Sequence, residues 1–351
     1  MSAIGRVAVL ITSEDLDADG ALPIVLSGLE SADIQTIVYD RAVAGAKSNI
    51  ADDAAEIIKS SKARIVMGCG DAATLGIARA AAMLSSTTRK TFDFFDADQA
   101  RYFSELPILP YIEIPTRNWN PAAFIDSSFL IDSRTRRMRR LDTGVSVDSI
   151  LMSSMISNAL TDKQLSYDLL SNLLIAIEGL HQPAPMLSVP LLSSVFTRTV
   201  TMIQEFADSY DRIDSRDIQI IGIDASFGAC STPLGPGTAL SWAIYGRVET
   251  EIQWVAGAIL PATVRVLVDR NPEFSATIAN LLRVSNEDQD DDLSNEVIET
   301  RIRTLLGMVE VPIRLRDLDI KKSDLQGVVE TASSVSNHSA ELLNAVISKS
   351  L

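Results

Sequence analysis

The chain has 351 residues, with 31 Lys+Arg against 46 Asp+Glu and a formal net charge of −15. At roughly 100–200 residues per domain, this length makes about two domains, each able to bury a core. Hydrophobic residues at 46% and charged residues at 22% are ordinary for a globular protein, and the acidic balance argues against broad electrostatic binding to nucleic acid or anionic membrane.

The chain starts Met1-Ser2-Ala3-Ile4-Gly5-Arg6 and enters a strand pattern at once. A charged segment followed by a long apolar one is missing, so no signal peptide is expected and the cytoplasm is the expected compartment. Arg6–Thr12 is a short apolar run, as a buried parallel strand should be. A helical pattern over Leu22–Glu30, a strand over Ile34–Tyr39 and a helix over Ala51–Ser60 follow. A third strand, Ala63–Met67, runs into Gly68-Cys69-Gly70-Asp71 and then the Ala-rich helix Ala72–Leu84. Strand, Gly-rich turn, helix is the layout of an open α/β sheet with a nucleotide site at its carboxyl edge. Leu109–Pro115 reads as a further strand. Phe124–Ile131 and Arg137–Val145 read as a β-hairpin, with Asp132-Ser133 near its turn. After about Asp148 the pattern becomes helical. Residues 1–150 are therefore expected to form an α/β, Rossmann-like nucleotide-binding domain with a hairpin, and 151–351 an all-helical domain. Asn286–Asp292 (NEDQDDD) reads as a solvated charged loop. No apolar run is expected to reach the roughly 18 residues of a membrane span.

Several segments taken together resemble the iron-containing alcohol dehydrogenases. Ser231–Trp242 resembles a buried helix of that family, and Gly257-Ala258-Ile259-Leu260-Pro261 its "NAILLP" helix. Leu305-Leu306-Gly307, then Val311–Leu318, is similar to its "LGIPxRLxDLG" segment, and Asp324-Leu325 continues the likeness. Ile114-Pro115-Thr116 resembles its "IPTT" strand end, and Ile37–Asp40 its second strand. The resemblance covers almost the whole chain and implies a dehydroquinate synthase-like fold. That fold serves several substrates, so it fixes the architecture better than the reaction.

The family holds one divalent metal with one Asp and three His, because a Lewis acid eases proton loss from the alcohol as hydride leaves. Aligning Ala176-Ile177-Glu178 with its "AIEA" puts Ser171 at the Asp position and Ile175 at the first His, four apart on one helix face. Leu234-Gly235 then puts Thr238 at the second His, and Ile259-Leu260-Pro261 puts Ile252 at the third. Ile cannot coordinate, and a lone Ser and Thr are poor ligands for iron or zinc. With only His181 and His338 in the whole chain, no metal is expected. His181 ends the Ser171 helix, where a cation suits the helix C-terminus.

The nucleotide side is partly kept. Gly68-Cys69-Gly70-Asp71 fills the start of the family's "GGGSxxDxAK" loop, and glycine lets a backbone approach a pyrophosphate. Asp71 sets a negative charge where a phosphate would sit, and Thr74 and Ile77 replace the loop's Asp and Lys. The second loop becomes Thr116-Arg117-Asn118-Trp119-Asn120-Pro121, without its glycines, and Trp119 either fills the nicotinamide space or lines a new pocket. Asp40 matches the residue that contacts the adenosine ribose and favours NAD over NADP. The implied cofactor-binding residues are thus Asp40, Gly68, Gly70, Asp71 and Thr116, with NAD as the cofactor. Cys69, at a helix start, is either an acidified thiol or a packed turn residue. Arg134, Arg136, Arg137, Arg139 and Arg140 crowd one hairpin turn. They suit an anionic ligand or acidic partner segment, or else pair locally with Asp132 and Asp142.

Two functions compete. One is a degenerate alcohol-dehydrogenase-like accessory subunit, a homodimer or a heteromer with an intact relative, or a binder of a peptide or small ligand. The other is a metal-independent NAD(P)-dependent oxidoreductase acting on a small alcohol or carbonyl, with Arg, Tyr167 or His181 polarising the carbonyl. Nucleic acid and membrane are expected partners of neither.

Overall fold

The apolar run after Arg6 forms β1 (Val7–Ile11), which lies inside a five-stranded sheet of order β2-β1-β3-β4-β7 in which every pairing is parallel. β2 is Gln35–Tyr39, β3 Ile65–Gly70, β4 Tyr111–Pro115 and β7 Ser149–Ile150. This computed structural model describes residues 6–351 except 15, 17–19, 43–44, 96–106, 158–159, 184, 209–214, 249 and 285–290. Helices α1 (Ala21–Ser31), α2 (Ser48–Ser61) and α3 (Ala72–Leu84) make the crossovers, as parallel strands require. Ala8, Leu10, Ile65, Met67, Cys69, Ile112 and Ile114 form one core with Leu22, Val25 and Leu29 of α1. β1 and β3 are buried along nearly their whole length, which is why they read as unbroken apolar runs.

β3 runs three residues past its expected end. Gly68, Cys69 and Gly70 pair with Glu113, Ile114 and Pro115 of β4, so the Gly-rich segment is strand and not loop. The hairpin is a separate ladder, β5 (Ser127–Asp132) with β6 (Arg137–Asp142), tied to the stretch before α2 by Ile131 N donating to Ala46 O at 2.7 Å. Phe124, Ile125 and Asp126 stay outside it: the Ile125 carbonyl accepts from the buried Arg79, and the Asp126 carbonyl accepts from Thr143 N at 2.8 Å and Gly144 N at 3.2 Å.

The chain divides into two compact units, Met1–Leu160 and Thr161–Leu351. The division falls beyond residue 150 because β7 still pairs with β4, and Ile156 of α4 (Ser154–Ser157) still packs in the first core. The second unit is helical among its described residues. α5 (Asp162–His181) opens on a capping box: Thr161 Oγ1 accepts from Gln164 N at 3.3 Å, and Gln164 Oε1 accepts from Thr161 N at 2.9 Å. It packs on α6 (Ser188–Asp208), α7 (Ser215–Ala229) and α9 (Ile252–Arg270). α8 (Pro236–Tyr245), α10 (Pro272–Leu281), α11 (Asp291–Met308), α12 (Val328–Ser336) and α13 (Ala340–Ser350) complete the unit.

By length and composition α9 could cross a membrane, which corrects the expectation that no run is long enough; 83% of its apolar window is buried inside the protein. Of the charged loop Asn286–Asp292, residues 286–290 lie outside the described residues, and Asp291 and Asp292 begin α11.

Candidate functional site

The carboxyl edge of the sheet brings the nucleotide candidates into one row. Tyr39, Ile11, Gly68 and Glu113 are register partners across β2, β1, β3 and β4. The strand order switches between β1 and β3, where open α/β sheets place ligands. Asp40 is exposed just after β2. It stands two strands from Gly68, about 10 Å at ordinary strand spacing. Thr116 is beside the Gly70 turn, its N–H donating to Gly70 O at 2.9 Å. Thr12, fully buried at the end of β1, holds a hydroxyl without a hydrogen-bond partner.

The two glycines serve close packing. A Cβ on Gly68 would meet Ala78 Cβ at 2.8 Å and Tyr111 Oη at 2.9 Å; one on Gly70 would meet Thr74 Cβ at 2.6 Å. Asp71 caps α3, its Oδ1 accepting from Thr74 N at 2.9 Å. Cys69 is buried in β3, and burial pushes its thiol up to about 12, the reverse of an acidified thiol.

The stretch after β4 is held from inside. Arg79 of α3 pairs with Glu113 at 2.7 Å, both almost wholly buried. Its guanidinium also donates to the carbonyls of Ala122 (2.6 Å), Ala123 (3.1 Å), Ile125 and Ser127 (3.0 Å). Asn120 Nδ2 donates to the other Glu113 oxygen at 3.3 Å. Trp119, placed by sequence in a nicotinamide space or a pocket wall, is 1% exposed within this stretch.

In the helical unit, Ser171 and Ile175 are one turn apart on α5. Ser171 Oγ donates to Tyr167 O at 2.7 Å and lies 3.4 Å from Gln253 O, next to Ile252 at the start of α9. Ile175 and Ile252 are buried. Thr238 is bound to Glu178, three residues past Ile175 on the same helix: its Oγ1 donates at 2.6 Å, and the N–H groups of Gly237 and Thr238 donate to the same carboxylate. Glu178 thus fills the N-terminus of α8, whose Gly235-Pro236-Gly237 turn wraps it. Burial raises its carboxyl to about 7 against the lowering effect of these hydrogen bonds.

The model of the iron-containing alcohol dehydrogenase family matches residues 1–142. Solved structures match over nearly the full length. The NADH-dependent butanol dehydrogenase A of Thermotoga maritima has a TM-score of 0.83 at 15% identity, covering 99% of this chain and 92% of that one. An archaeal halo-thermophilic alcohol dehydrogenase from a Red Sea brine pool gives 0.85 at 15% identity, covering 100% and 93%. The sulfoacetaldehyde reductase of Bifidobacterium kashiwanohense, solved in complex with NAD+, gives 0.75 at 15% identity, covering 98% and 91%. The first 142 residues thus match the iron-containing alcohol dehydrogenase family, and the chain as a whole shares the fold of these solved structures. A search of curated proteins finds no sequence match.

Iron is the group that the matched family's name implies. The side chains at the aligned positions do not fit it: two are hydrocarbon, and the hydroxyls of Ser171 and Thr238 are committed to Tyr167 O and Glu178. Among the described residues, no three His, Cys, Asp or Glu side chains are grouped to hold a metal ion.

The two histidines are neighbours, which their separation in sequence hides. His181 packs edge-on to Phe274 at 5.0 Å, and His338 Nε2 lies 2.9 Å from Leu234 O. Burial lowers both pKa values, and each other's proximity lowers that of His181 further. His181 is half-buried rather than exposed at its helix end.

Of the hairpin arginines, Arg134 stacks on Phe92 at 4.2 Å and reaches Asp132 at 3.4 Å. Arg139 donates to Phe95 O at 2.9 Å, and Arg140 binds Asp142 at 2.7 Å. Arg136 takes the left-handed turn conformation at φ 55°, and it and Arg137 are exposed. Sequence reasoning passed over Glu178, Arg79 with Glu113, and Thr12. A charged residue inside an otherwise apolar helical stretch, as in Leu173–Gly179 and Ala72–Leu84, was the available signal.

Proposed function

We propose that this chain is an alcohol-dehydrogenase-like protein without the metal site of its relatives, acting as a non-catalytic or accessory subunit. It pairs with itself or with an intact relative in the cytoplasm, or binds a peptide or small ligand on the retained scaffold. The observation that carries this reading is the residue set Ser171, Ile175, Thr238 and Ile252 at the aligned ligand positions, together with the commitment of both hydroxyls to other partners. Without an electron-pair acceptor near the alcohol oxygen, metal-assisted hydride transfer has no chemical basis here.

The test is elemental analysis after growth and reconstitution with ferrous iron and with zinc, alongside NAD-linked oxidation of short alcohols. The expected result is metal far below one ion per chain and no turnover. Stoichiometric metal, or turnover that a chelator abolishes, would overturn it. Turnover unaffected by chelator would establish the metal-independent oxidoreductase instead.

A further inference from the structure

A dinucleotide fold binds pyrophosphate by pointing the first N–H groups of a helix at it, and the macrodipole adds to the attraction. In the first unit the helix that follows the Gly-rich strand end is α3, thirteen residues long. Its N-terminus already holds an anion. Asp71 adopts φ −76° and ψ 178°, and its carboxylate accepts the Thr74 N–H at 2.9 Å. The backbone of the same residue accepts Leu75 N at 2.9 Å. A phosphate seated here would stand against a carboxylate of like charge and would find one donor taken.

The loop itself carries no compensating cation. Gly68, Cys69 and Gly70 carry no cation, and Ile77 stands where the related loop has lysine. The sole cation on α3 is Arg79, which is turned inward onto Glu113 and four carbonyls. The glycines, which by sequence suggest a phosphate cradle, are accounted for by strand–helix contact with Ala78, Tyr111 and Thr74.

We infer that Asp71 is an internal phosphate mimic: its carboxylate occupies the N-terminus of α3 and excludes NAD(H), NADP(H) and other pyrophosphates from this sheet edge. The inference deepens the non-catalytic reading but rests on another part of the chain. A metal found in the helical unit would leave it standing, and NADH binding would leave the metal argument standing.

The experiment is titration of full-length protein with NADH and with ADP, followed by nicotinamide fluorescence and calorimetry, for wild type, Asp71→Ser, Asp71→Asn and Asp71→Glu. Ser and Asn are good N-caps, so both neutral variants keep the helix start. Wild type and Asp71→Glu are expected to show no saturation at about 1 mM nucleotide, while the neutral variants gain at least about tenfold in affinity for both. Micromolar NADH binding by wild type would overturn the inference, as would neutral variants that bind no better than wild type. Should Asp71→Ser fail to fold by circular dichroism, Asp71→Asn decides alone, since it removes the charge and keeps the shape.

Discussion

Glu178 is a carboxylate held by three donors and, among the described residues, no cation; it is 2% exposed. Its carboxyl is raised from 4.5 to about 7, chiefly by burial. Between those values the folded chain holds a proton that the unfolded chain has released. This group's contribution to stability is therefore complete below about pH 4.5 and is lost as pH rises to about 7, on the order of 3 kcal/mol in total. Urea melts across that window should show the wild-type minus Glu178→Gln difference falling with pH; a flat difference would refute it. Thr238→Ala removes the 2.6 Å donor and should destabilise by about 1–3 kcal/mol, most strongly above pH 7 where the carboxylate is charged. Arg79 is the second such residue. Arg79→Met leaves Glu113 and several carbonyls buried without their partner, an expected loss of about 3–5 kcal/mol. Adding Glu113→Leu should recover part of it, and a second loss simply summed on the first would show that the two side chains are not coupled.

At the scale of the element, the glycines divide by what surrounds them. A Cβ at Gly235 would collide with Glu178 at the start of α8, whereas at Gly28 of α1 it meets nothing within 4 Å. Gly235→Ala should therefore cost about 1–3 kcal/mol or more, and Gly28→Ala should stabilise by about 0.5–1 kcal/mol, in the same denaturant melt. Equal effects would refute the assignment of the α8 turn to Glu178. The strands β1 and β3 were legible because burial on both faces leaves unbroken apolar runs. The end of β3 was not, because Gly68 and Gly70 read as a loop while β4 supplies them with ladder partners. The outer hairpin residues Phe124–Asp126 were misplaced for a comparable reason. The Ile125 carbonyl goes to Arg79, 46 residues earlier in the chain, and no local pattern encodes that.

For the whole molecule, the fold and its likeness to the iron-containing alcohol dehydrogenases could be read from the sequence, because they rest on many weakly specific segments in order. The interior of the site could not. That Thr238 belongs to Glu178, and that the two histidines lie near enough to influence each other, depends on residues 60 or more positions apart in sequence. The same interior sets how the molecule answers to metal. A ligand that binds only the folded state adds about 2.7 kcal/mol at one hundred times its dissociation constant, which for a domain the size of Thr161–Leu351 is a rise of roughly 5–10 °C in Tm. Buried hydrocarbon at Ile175 and Ile252 and committed hydroxyls at Ser171 and Thr238 offer no such gain. Thermal melts with about 100 μM zinc or anaerobic ferrous iron, and after chelation, should therefore coincide with the untreated protein to within a degree or two. A rise of several degrees that chelator reverses would mean a donor set other than these four side chains, and would return metal chemistry to the molecule.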